Sequence, residues 1–211
     1  MSSDRTSISA LDALAHLRAG NQRYVQNVRS VDSMISHSQR GDMTLQSPVA
    51  IILGCSDSRA PAEIVFDQGL GDLFVIRVAG NIVAPSQVGS VEFAADRFGT
   101  RLVVVMGHSQ CGAIDAAIEA VTGEKGPVSP NLRSIVDRVL PGIRALVSTE
   151  LARDPARLRR EAMRANVRAS VNHLRHGSDV IERLADDGGL LVVGAELDLS
   201  TGVVSFFDHE A

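Results

Sequence analysis

The chain contains two cysteines, Cys55 and Cys111, and each follows a run of apolar residues. Val49-Ala-Ile-Ile-Leu-Gly leads into Cys55-Ser56-Asp57-Ser58-Arg59, and Leu102-Val-Val-Val-Met leads into Gly107-His108-Ser109-Gln110-Cys111-Gly112. Such β-branched runs read as strands buried on both faces. Open parallel sheets bind their ligands beyond the carboxyl ends of the strands. The two strand ends together supply two sulfurs and an imidazole, the donors zinc prefers. Three protein ligands leave a fourth position for water, and a metal so placed generates hydroxide near neutral pH. Cys111, at a helix N-terminus, is expected to have a lowered pKa. If the extended backbone persists past Cys55, then Asp57 and Arg59 face the same way as the thiol. Asp57 is then the acceptor for the hydroxide proton, and Arg59 keeps it ionised. Zinc with two thiolates and a neutral imidazole has no net charge, so activity is expected to rise with pH above neutral.

The elements that position these residues follow the chain. Ser9 to Ala19 has helical spacing, with Ser9 and Asp12 placed as a capping box; Gly20 should break it, and Asn21 to Val28 should form a second short helix. Residues 29–47 are polar and read as loop. Strands are expected at about 49–54, 73–78 and 102–106, with helices over Ser86–Phe98 and Cys111–Val121. Asn131–Ser148 reads as a helix interrupted at Pro141-Gly142, and Asp154-Pro155 opens a long helix to about His176. Ser178 starts another. Leu190–Ala195 and Val203–Phe207 are strands around the turn Ser200-Thr201-Gly202. Strands alternate with helices, so the fold class is α/β. The expected sheet is central and mainly parallel with an antiparallel edge, flanked by helices, with a helical N-terminal arm. The chain reads as one domain over 1–211, the arm and its loop at 1–47 and the α/β core at 48–211.

At 211 residues and net charge −4 the chain suits one sizeable core and offers nothing to a nucleic acid. No apolar stretch approaches a membrane span. The first residues lack the basic start and apolar core of a secretory signal, so residence is expected to be cytoplasmic.

The two motifs resemble the signature segments of the β-class carbonic anhydrases, in order and at the usual separation, from about Gln46 to Val121. The resemblance implies one zinc per subunit bound by Cys55, His108 and Cys111, an orienting dyad of Asp57 and Arg59, and reversible hydration of carbon dioxide to bicarbonate and a proton. It also implies that Gln46 hydrogen-bonds the substrate, that Phe74 walls the carbon dioxide pocket, and that the Gly112 N–H adds a donor. A tyrosine of the plant-like members is Phe93 here. In some bacterial members the counterpart of Asp57 closes the site by joining the zinc, a state favoured by bicarbonate. Their regulatory Trp and Tyr positions fall on Ile52 and Leu197, so an open, non-bicarbonate-inhibited form is expected. The family forms dimers or larger assemblies with the site at the subunit interface, which suits a helical arm that packs on a partner.

Two other functions compete. Gly107-His108-Ser109 after a strand imitates the nucleophile elbow of a serine hydrolase, with Asp198 and His209 following in chain order, but Cys111 stands where the elbow wants glycine. A non-catalytic structural zinc, with Asp57 as permanent fourth ligand, is the other. His16, His37, His173, His176 and, outside the hydrolase reading, His209 read as surface or packing residues. Arg153, Arg157, Arg160, Arg164 and Arg168 fall on one helical stripe, read as a solvated face or subunit contact.

Overall fold

A computed structural model of the chain describes residues 8–30, 46–123 and 129–207. The apolar runs form β1 (Ala50–Gly54), β2 (Leu73–Arg77), β3 (Leu102–His108), β4 (Leu191–Leu197) and β5 (Val204–Phe207). The sheet order is β2-β1-β3-β4-β5. The first four strands are parallel, and β5 pairs antiparallel with β4. Every residue of β1 and β3 is buried, as expected of strands covered on both faces. Strand β3 runs two residues beyond the expected end, so His108 is itself a ladder residue opposite Leu197.

One face of the sheet is covered by α1 (Ala10–Val25) and the short α2 (Ala62–Val65), with Leu14, Leu17, Ile52, Phe66 and Val104 among its core residues. The other face carries α3 (Pro85–Arg97), α4 (Gly112–Thr122), α5 (Pro130–Val147), α6 (Pro155–His176) and α7 (Asp179–Asp186). The arm therefore packs on its own sheet as far as the described residues run.

Two expected breaks are absent. Helix α1 continues through Gly20, because the residue is there for close packing: a Cβ at this position would lie 1.9 Å from the carbonyl oxygen of Phe66. Asn21 then pins the helix, donating to the Val65 and Gly202 carbonyls at 3.1 and 2.9 Å and accepting from Val204 N–H at 2.9 Å. Helix α5 likewise runs through Pro141. An interior proline costs about 3 kcal/mol. Val136, Val139 and Ile143 are buried on either side of it, and each contributes roughly 1.5–3 kcal/mol by burial, enough to hold the helix together.

Helix α6 begins as its cap predicts, with the Asp154 carboxylate accepting from Arg157 N–H at 3.1 Å. It lies close against β3: a Cβ on Gly107 would fall 2.5 Å from Sδ of Met163. The arginine stripe is a solvated face only in its first part, where Arg153 and Arg157 are exposed. Arg160 and Arg164 hold the buried Glu196 carboxylate at 3.0 and 2.7 Å, and Arg164 and Arg168 stack over the Phe207 ring. These three arginines dock α6 onto β4 and β5.

Candidate metal centre

Cys55 follows the last residue of β1, His108 ends β3, and Cys111 caps α4. Parallel pairing of β1 with β3 brings the strand ends level. Between His108 and Cys111 the chain reverses through Gln110, a non-glycine residue at φ +56°. All three side chains are buried, their ligand atoms lie within 4.8 Å of one another, and the two sulfurs are 4.0 Å apart.

The donor set fits a metal. Nδ1 of His108 faces the Ser109 carbonyl at 2.8 Å, which assigns its proton to that nitrogen. Nε2 is left with a lone pair, buried and with no hydrogen-bond partner among the described residues. An imidazole oriented through its far nitrogen, with its near nitrogen turned toward two thiols, is the arrangement of a ligating histidine.

The two thiols are coupled. The hydrogen bond between the two sulfurs holds the Cys55 pKa down, with help from His108 and the Gly80 and Asp57 N–H groups against the opposing effect of burial. The same contact, with burial, pushes Cys111 up, outweighing the Ile114 and Ala113 N–H groups of the helix start. Burial works to lower the His108 pKa, but the Cys55 contact, the Ser109 carbonyl and the charges of Cys55 and Asp57 carry it upward.

Asp57 and Arg59 meet, though not by strand alternation. The strand stops at Gly54 and a turn follows, with Ala60 N–H donating to the Asp57 carbonyl at 3.1 Å. Arg59 folds back on Asp57 through its Nε, its Nη2 and its own backbone N–H, at 2.9, 2.7 and 2.9 Å. This guanidinium above all holds the Asp57 carboxyl well below the usual carboxylate range. Arg59 Nη2 also reaches the Gln110 carbonyl at 3.2 Å, tying one motif to the other. Arg77, at the end of β2, donates to the Cys55 carbonyl at 3.0 Å and to the Asp57 carbonyl.

Gln46 and Phe74 are not brought to this cluster within one chain. Gln46 is exposed before the amino end of β1, and Cys55 follows its carboxyl end, about 17 Å of strand away. Phe74 pairs with Ile51, roughly 13 Å short of Cys55 along the strand, and its ring packs on Phe93 and Phe98 at 6.1 Å. Gly112 opens α4 beside Cys111. A cavity of about 630 Å³ adjoins His108 and Cys111 under Arg159, Arg160 and Met163; neither Asp57 nor Arg59 lines it.

The serine hydrolase arrangement finds no support in the described residues. Ser109 Oγ accepts from Leu199 N–H at 2.9 Å, and Asp198 accepts from Ser200 and Thr201 in the turn. His209 lies outside the described residues.

The family profile described as carbonic anhydrase matches residues 50–204. The chain is 36% identical over 193 residues to carbonic anhydrase 2 of Mycobacterium tuberculosis, covering 92% of this chain and 90% of that one. The chain belongs to the carbonic anhydrase family. A second member, from Mycolicibacterium smegmatis, is 35% identical over 194 residues, covering 92% and 91%. Among solved structures, a tetrameric β-carbonic anhydrase of the ascomycete Sordaria macrospora superposes with a TM-score of 0.71 at 22% identity, covering 92% of this chain and 96% of that one. The fold is that of the β class. No helix among the described residues is long and apolar enough to cross a membrane.

Sequence inspection missed two polar side chains close to the site. Asn166 and Ser170 fall in the buried stripe of α6, where Met163, Val167, Val171 and Leu174 set the apolar pattern. Their only sequence signal is that they are polar at core positions.

Proposed function

We infer that the chain catalyses the reversible hydration of carbon dioxide to bicarbonate and a proton, with zinc held by Cys55, His108 and Cys111. The observation that carries this is the buried Nε2 of His108, without a hydrogen-bond partner among the described residues, beside two thiols and with the Asp57 carboxylate 3.8 Å away. Zinc bound there supplies, when present, a water-derived nucleophile near neutral pH.

The chain's own groups do the rest. Asp57 stays ionised beside Arg59, so its Oδ2 accepts a hydrogen bond from the attacking oxygen and aims the remaining lone pair at carbon dioxide. The bidentate hold of Arg59 also keeps Asp57 from swinging onto the metal. The Gly112 N–H, at the start of α4, is placed to donate to a substrate oxygen. Gln46 and Phe74 complete the pocket from a second copy of the chain, since neither reaches the cluster of its own. The partly exposed Phe74–Phe93–Phe98 group beside the edge strand β2 supports a contact between two copies there, in a dimer or a larger assembly built from dimers.

Stopped-flow hydration of carbon dioxide, measured alongside zinc stoichiometry, tests the proposal. One zinc per subunit with proton release far above the buffer blank is expected. Full zinc loading without rate enhancement would leave a structural zinc protein instead.

A further inference from the structure

Besides its contact with the Cys111 sulfur, Cys55 receives a backbone hydrogen bond from outside its own strand end. The Gly80 N–H points at its sulfur, with N to Sγ 3.3 Å. Gly80 lies in the one-turn 3₁₀ segment Ala79–Asn81, between β2 and α3, at φ +70°. Only glycine suits this position: a Cβ would meet Ala113 Cβ at 3.0 Å and the backbone is left-handed. The same freedom lets the flanking peptides rotate, so glycine alone cannot keep its N–H aimed at the sulfur.

The turn is held from across the molecule. Nδ2 of Asn166 donates to the Gly80 carbonyl at 2.7 Å, and the Ser170 hydroxyl donates to the Asn81 carbonyl at 3.1 Å. Both side chains are buried and stand one helical turn apart on α6. Asn81, also left-handed at φ +43°, closes the turn by donating its N–H to the Val78 carbonyl at 2.9 Å. The close packing of α6 on Gly107 of β3, the strand that carries His108, sets the depth at which these two donors arrive. A helix far away in sequence thus holds the two carbonyls that directly follow the Gly80 N–H in the turn.

We propose that Asn166 and Ser170 are positioning residues for the metal centre, clamping the Gly80 turn so that its N–H stays on the Cys55 sulfur. The inference rests on the metal-site reading above. An N–H donor on a thiolate withdraws electron density from sulfur and fixes its lone-pair direction. It thereby sets how strongly that sulfur binds and donates to a metal, and supporting contacts of this kind typically change metal affinity about 10–100-fold.

The test uses the full chain loaded with cobalt in place of zinc, and compares Asn166→Ala and Ser170→Ala with the unsubstituted protein. The readouts are the near-ultraviolet sulfur-to-cobalt charge-transfer band and zinc affinity by competition with a chromophoric chelator. Asn166→Ala is expected to move the band to lower energy and to weaken zinc binding at least tenfold. Ser170→Ala should do the same to a smaller extent, and it carries the test if Asn166→Ala fails to fold. Folded variants that melt at lower temperature but keep the parent band and zinc affinity would overturn the clamp and reduce both residues to packing. A parent protein that shows the band but does not hydrate carbon dioxide would sink the proposed reaction and leave the clamp standing. A parent that takes up no metal at these sulfurs would end both.

Discussion

Oδ2 of Asp57 lies 3.8 Å from Nε2 of His108 and 2.7 Å from Nη2 of Arg59. One carboxylate oxygen thus stands between the nitrogen assigned to the metal and the guanidinium that holds it in place. The other oxygen takes Arg59 Nε and the Arg59 backbone N–H, each at 2.9 Å, so Asp57 has little freedom while Arg59 is present.

Replacing Arg59 with alanine should therefore lower kcat/KM for carbon dioxide hydration by roughly 10²-fold, with zinc content unchanged by elemental analysis. The folded-state pKa of Asp57 is depressed, mainly by Arg59. A depressed carboxylate contributes stability that is fully present above its unfolded value, about 3.9, and that fades as pH falls through the folded value. In Arg59→Ala that contribution should be smaller, so the acid unfolding midpoint should move to higher pH, read by circular dichroism. An unmoved midpoint would mean that Asp57 does not depend on Arg59.

Metal removal is the direct check on the three ligands. Prolonged dialysis against a strong chelator should abolish hydration, and stoichiometric zinc should restore it. Cys55→Ser and Cys111→Ser should bind zinc far more weakly by the same competition assay. Activity that survives complete removal of the metal would rule out the site.

Ile52 and Leu197 are fully buried in the core face covered by α1. They offer no polar atom to an anion, so initial rates should decline smoothly with bicarbonate, without a sigmoidal threshold. A steep cooperative loss would show that the chain closes its site by some other set of residues.

Phe93 is 54% exposed and packs edge-on against Phe98 at 5.7 Å. With Phe74 beneath it, this group is where a second copy should sit. Phe93→Asp should lower the mass measured by light scattering toward that of a single chain and reduce hydration with it. A monomer of full activity would remove the roles proposed for Gln46 and Phe74.

At Gly20 two effects oppose each other. Alanine is the better helix former by about 1 kcal/mol. Its methyl group would press into the Phe66 carbonyl at 1.9 Å, and forced overpacking costs about 1–3 kcal/mol. Gly20→Ala should lower the melting temperature, and a rise would mean that α1 yields easily at this contact.

The strands, the long capped helix after Asp154 and the antiparallel edge were legible because they depend on local signals: β-branched runs, an Asp-Pro start and a turn rich in Ser and Gly. Gly20 and Pro141 were misread for the same reason. Both break isolated helices, and only the packing against Phe66 and along the Val136–Ile143 stripe reveals why neither does so here. The helix start does lower Cys111 through the Ile114 and Ala113 N–H groups, but a sulfur 4.0 Å away couples the two thiols, which no reading of Cys111 alone contains.

Taken alone, the amino-acid sequence determined the fold class and put Cys, His and Cys at two strand ends, since both are written into the local pattern. Tertiary structure decided which nitrogen of His108 faces the Ser109 carbonyl, how Arg59 returns to Asp57 by a turn, and that Gln46 lies before the far end of the strand that leads to Cys55. It also decided that Asn166 and Ser170 face the Gly80 turn. Each of these rests on atoms brought together by the register of parallel strands and the depth of a helix on a sheet, distances that no spacing along one chain encodes.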